Sequence, residues 1–131
     1  MSTVDLTLDE FEGTVDQDGI VMVDFWAEWC GPCKSFAPVF QAASEKHDKV
    51  LFAKVDTEAE QQLAGMIGIQ SIPTIMVFRD GVPLFRQAGA IPADALDDLI
   101  SQAEALDMEA VKKEMAEQDQ GDHEHGPDCQ H

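Results

Sequence analysis

The chain has 131 residues, 44% of them apolar, and 26 acidic side chains against 8 basic ones, for a formal net charge of −18. That length suits one domain with a tail, and the apolar fraction is enough to fill a core. The charge excludes nucleic acid and anionic membrane surfaces as partners, because both need clustered Lys and Arg.

No apolar run approaches the roughly 20 residues that cross a bilayer. Met1–Asp5 has neither the basic start nor the apolar stretch of a secretory signal, so a reducing, cytoplasmic setting is expected. A monomer is expected with it.

In chain order, a short strand fits Val4–Leu6. Thr7 then stands as N-cap to a helix, with Glu10 three residues on as in a capping box. Ile20–Trp26 is almost continuously apolar and reads as a central strand buried on both faces. From Cys33 to about His47 the period is helical, with Phe36, Val39, Phe40 and Ala43 on one stripe and Pro38 inside it. Val50–Val55 is a second buried strand. Thr57 and Glu60 have capping-box spacing and open a helix to about Met66.

Thr74–Phe78 and Val82–Arg86 are strands joined by Asp80-Gly81, a strong hairpin signal, and Pro83 marks the second as an edge. Pro92 falls in the first turn of a last helix whose core stripe is Leu96, Leu99, Ile100 and Ala103. That stripe continues weakly through Leu106, Met108, Val111 and Met115. The sum is an α/β domain over residues 1–106, with a mixed central sheet and helices on both faces. Residues 107–116 read as a helical extension.

Residues 117–131 lack any large apolar side chain and read as a disordered acidic tail. From residue 104 onward there are nine acids and two bases, a charge of −7; residues 1–103 carry −11. The tail places His123, His125, Cys129 and His131 within nine residues, a set that suits zinc, nickel or copper, although no standard finger has that spacing.

Three cysteines rule out a disulfide scaffold. Cys30 and Cys33 sit where the buried strand gives way to a helix. A helix N-terminus carries free N–H groups and a partial positive charge, which favour thiolate. Cys30 should therefore have a lowered pKa and attack, while Cys33, in the first turn, should be less exposed. Gly31 allows the tight backbone, and Pro32 has no N–H to leave unpaired there. The chemistry that follows is thiol–disulfide exchange: Cys30 forms a mixed disulfide and Cys33 resolves it, leaving a Cys30–Cys33 disulfide. Zinc at this pair would need two more ligands, and the candidates lie about ninety residues away on the tail.

At these residues the sequence resembles the thioredoxin family. Val23-Asp24-Phe25-Trp26-Ala27-Glu28-Trp29-Cys30-Gly31-Pro32-Cys33-Lys34 is similar to its active-site signature almost letter for letter. Ala37-Pro38, Ala53-Lys54-Val55-Asp56, Ile72-Pro73-Thr74, Asp80-Gly81 and Gly89-Ala90 follow in family order. The resemblance covers about residues 4–106. It implies general protein-disulfide reduction with no bound cofactor, and disulfide-containing proteins as substrates. It also implies a partner thioredoxin reductase, which alone would supply flavin and NADPH. It implies a cis bond before Pro73 and a docking patch of Trp29, Gly31, Pro32, Ile72, Pro73, Gly89 and Ala90. Ser71 and Ser35 depart from the usual family residues.

Asp24 is a lone acid in an apolar strand. Burial should raise its pKa toward neutrality. The resemblance gives the matching Asp the task of taking the proton from Cys33 and sets Lys54 beside it. Trp26 reads as packing, Met22, Met66 and Met76 as core fillers, and His47 as a helix-end cation without a catalytic role. Two other readings stay open at this point: a redox-switched binding or co-chaperone module, and metal handling through the tail.

Overall fold

A computed structural model describes residues 3–125, with side chains as far as Ala116. The element order is β1 (Val4–Asp5), α1 (Leu8–Val15), β2 (Ile20–Trp26), α2 (Gly31–Lys46), β3 (Val50–Asp56), α3 (Gln61–Ile67), β4 (Thr74–Arg79), β5 (Val82–Ala88), α4 (Ala93–Ala105) and α5 (Met108–His125).

The sheet runs β1-β3-β2-β4-β5, so β2 is central as its unbroken apolar run requires. β1 and β2 lie parallel to β3, while β2–β4 and β4–β5 are antiparallel. Alternation along β2 sends its side chains to two cores. Ile20 and Met22 pack with Phe36, Phe40, Leu96 and Ile100 beneath α2 and α4. Val21, Val23 and Phe25 pack on the opposite face with Phe11, Val15 and Leu63 of α1 and α3. By the same alternation Asp24 and Trp26 face the α2 side.

Glu10 accepts a hydrogen bond from the Thr7 N–H at 3.1 Å, as its spacing suggests. The hairpin forms with Asp80 at φ 55 and Gly81 at φ 83, the pair of left-handed residues a two-residue turn needs. A Cβ on Gly81 would stand 2.5 Å from Asp16 Oδ1, so this carboxylate would have to move, and the positive φ strains any side chain there. β5 is an edge strand, and its pairing slips between Val77 and Phe78, beside Pro83.

Several expectations need correction. α2 begins at Gly31, two residues before Cys33. Thr57 and Glu60 form no capping box. The Thr57 hydroxyl donates to the Trp26 carbonyl, and Glu60 Oε1 accepts from the Leu8 N–H. Asp56 makes the turn instead, taking the N–H groups of Glu58 and Ala59, and α3 starts only at Gln61. Met66 is not a core filler: it is 70% exposed. Pro92 is the N-cap of α4 and lies just outside its first turn. The stripe beyond Leu106 belongs to a separate helix. Asp107 Oδ1 accepts from the Glu109 and Ala110 N–H groups and opens α5, whose first residue, Met108, is buried. The α5 backbone then continues to His125, past the boundary that composition suggested at 116. No helix among the described residues is long and apolar enough to cross a membrane.

Candidate active site

β2 ends at Trp26, and the chain turns through Ala27–Trp29 into α2. Cys30 is the N-cap of that helix, in extended conformation, and its Sγ accepts the Cys33 N–H at 3.2 Å. Gly31 and Pro32 fill the first two helical positions, where an absent N–H costs nothing. One turn therefore sets Cys30 and Cys33 5.2 Å apart between Cα atoms, and their sulfurs are joined as a disulfide. Both cysteines are covered to the same degree in this oxidised state, so the expected difference in exposure is not seen. Position distinguishes them instead. Cys30 Sγ receives a helix-terminal N–H, the kind of contact that favours negative charge, and no such contact is seen at Cys33 Sγ among the described residues.

The loop before β4 closes over the pair. Cys30 Sγ lies 3.7 Å from the Ile72 carbonyl oxygen, and the Ile72–Pro73 peptide bond is cis. Gly89, at the end of β5, donates its N–H to the Pro73 carbonyl at 2.8 Å. This bond brings Gly89 and Ala90 to the same loop. Trp29 is 68% exposed beside the cysteines. Ile72, Pro73, Gly89, Ala90, Gly31 and Pro32 are thus gathered at one end of the sheet, although they are spread over sixty residues of sequence.

A shallow hollow of about 190 Å³ opens between Trp29, Ala64, Ile69 and Ile72. Thr57, Gln70 and Ser71 complete its wall. Sequence reasoning missed Thr57, Ala64, Ile69 and Gln70. The only signal was their closeness to Ile72 and to the end of β3.

Asp24 is fully buried, and neither carboxyl oxygen has a hydrogen-bond partner among the described residues. Burial pushes its pKa from 3.8 up to about 7, against the smaller downward pull of the Lys54 ammonium. Lys54 lies opposite Asp24 in the β2–β3 register, and its Nζ sits 4.8 Å from the centroid of the Trp26 ring. His47 is far from this chemistry; its Nε2 meets Asp97 Oδ1 at 2.8 Å. Among the described residues no group of three His, Cys, Asp or Glu could hold a metal ion. The tail candidates Cys129 and His131 lie outside the described residues, as do the side chains of His123 and His125.

The family model for thioredoxin matches residues 2–102. A Streptomyces coelicolor relative named for thioredoxin 2 is 53% identical over 117 residues, covering 89% of this chain and 87% of its own. A match that long passes residue 102 and reaches into α5. The thioredoxin of Bacillus subtilis is 42% identical over 85 residues, 64% of this chain and 82% of its own. Among solved structures, a point-mutant thioredoxin of Halobacterium salinarum superposes with a TM-score of 0.74 at 32% identity, over 81% of this chain and 94% of that one. With a cysteine pair closed at the head of α2 and likeness of this depth and length, the chain belongs to the thioredoxin family and is a protein-disulfide reductase.

Proposed function

We propose that within this activity Cys30 is the nucleophile and Cys33 the resolving thiol. The observation that carries the assignment is the Cys33 N–H aimed at Cys30 Sγ from the start of α2. In the dithiol state the Cys30 thiolate attacks one sulfur of a substrate disulfide. The other substrate sulfur leaves as a thiolate and takes a proton. Cys33 gives its proton to the Asp24 carboxylate and attacks Cys30 Sγ. This breaks the mixed disulfide, and the second substrate sulfur leaves as a thiolate and takes a proton, leaving the proton on Asp24 to return to solvent. Two electrons pass to the substrate, and the Cys30–Cys33 bond is left behind.

Lys54 supports Asp24 by offering a nearby positive charge to its ionised form. Trp29, Gly31, Pro32, Ile72, Pro73, Gly89 and Ala90 form the docking patch. There a substrate segment lies against the backbone of the Ile72–Pro73 loop. A thioredoxin reductase returns the two electrons, drawing them from NADPH through its own flavin. The protein acts as a cytoplasmic monomer, and its charge of −18 keeps it off nucleic acid.

Insulin reduction with a chemical or enzymatic reducing source tests the assignment. Cys30→Ser is expected to abolish turnover. Cys33→Ser is expected to accumulate mixed disulfides through Cys30. Full turnover in Cys30→Ser, or trapping through Cys33 instead, would overturn it.

A further inference from the structure

The Lys54 ammonium could rest in either of two places. It stands opposite Asp24 in the strand register, yet it lies on the face of Trp26, the diagonal neighbour on β2. The Asp24 oxygens receive no hydrogen bond from it. A buried carboxyl and an ammonium left in direct contact would form an ion pair, and the carboxyl would stay ionised. An indole face is the alternative seat for a cation, because its π-system is negative above the ring.

We propose that Trp26 is a positioning residue for the redox reaction: its ring holds the Lys54 ammonium off the Asp24 carboxyl and leaves that carboxyl free to take and return a proton. The inference rests on the role given to Asp24 above. Its test reads the Asp24 proton directly, so it succeeds or fails separately from turnover.

Few other charges bear on this site. On α2 the buried side chains of the first turns are Cys33 and Phe36; Phe36 carries no charge, and Cys33 does not titrate in the disulfide form. β4 places Ile75 opposite Asp24. On β3, Asp56 stands opposite Trp26, with a carboxylate oxygen taken by the Glu58 and Ala59 amides. Lys54 is therefore the charge whose position matters, and Trp26 is what holds it.

The test follows the Asp24 carboxyl carbon by NMR in the full-length disulfide form across pH. In Trp26→Leu the ammonium falls onto the carboxyl, and the Asp24 midpoint moves down by about one pH unit. Adding Lys54→Met to that variant brings the midpoint back above the wild-type value. Trp26→Leu removes buried area and could fail to fold, so a second measurement keeps the shape intact. 5-Fluorotryptophan incorporated in a Trp29→Phe background weakens the ring's negative face without changing its packing. The midpoint then moves down in the same direction, by a smaller step. An unchanged midpoint in the fluorinated protein, or an upward move in either protein, overturns the proposal. The first leaves Trp26 as packing alone; the second means the ring guides the ammonium toward Asp24.

Discussion

Asp24 shows how one buried residue can oppose folding. The folded carboxyl keeps its proton until about pH 7, whereas its ordinary value is 3.8. Between those values the folded state binds more protons than the unfolded chain. Stability therefore falls as pH rises through that window, and it stays lower above it. A tenfold change in proton affinity is about 1.4 kcal/mol, so at pH 8 the ionised carboxyl costs on the order of 4 kcal/mol. Asp24→Asn should raise the urea-unfolding free energy of the disulfide form by about 2–4 kcal/mol at pH 8 and change it little at pH 4. An equal gain at both pH values would show that shape, not ionisation, is responsible. Asp24 could be read from sequence because an acid inside an apolar strand has few places to go. The link between Lys54 and Trp26 could not, since it depends on which strands pair and in what register. Met66 misled for a related reason: apolar identity does not say which side of a two-turn helix meets the core.

At the scale of elements, long-range hydrogen bonds outweighed local signals. Thr57 and Glu60 have the spacing of a cap, but the hydroxyl of one goes to Trp26 and the carboxylate of the other to Leu8, in other parts of the chain. The joint between α4 and α5 is a second case. Arg79 Nη1 donates to the carbonyls of Ala103, Glu104 and Leu106 at 2.7, 3.1 and 3.1 Å. Two of these carbonyls belong to the last turn of α4 and the third to its C-cap, Leu106; the guanidinium serves them where the helix stops, and the apolar period resumes in a new helix. Arg79→Met keeps the apolar stem and removes the donors, and should lower stability by about 1–3 kcal/mol, read as a drop in melting temperature. An unchanged melting temperature would mean that water caps the helix equally well. The strands and the hairpin, by contrast, were legible, because burial on both faces and an Asp-Gly turn are encoded in neighbouring residues.

At the scale of the molecule, the two ends of the sheet do different work. Trp26, the last residue of β2, leads into the cysteines. Ile20, the first, pairs with Arg79, which holds the end of α4 just ahead of α5, and the strand separates the two by roughly 20 Å. Removing residues 107–131 should therefore leave kcat/KM for insulin reduction within about twofold of the full chain. It should also lower the melting temperature, since Met108 leaves the core. A tenfold loss of activity would place the extension in substrate docking. The two sides of the sheet carry a separate consequence. One is closed by a two-residue strand, β1. The other ends on β5, where Pro83 lacks an amide hydrogen and the pairing slips beside it. Neither side offers a long, even row of amides for a foreign strand to copy, and like charge keeps copies apart. Even where copies of the chain crowd together, the sheet is thereby guarded against stacking into fibres.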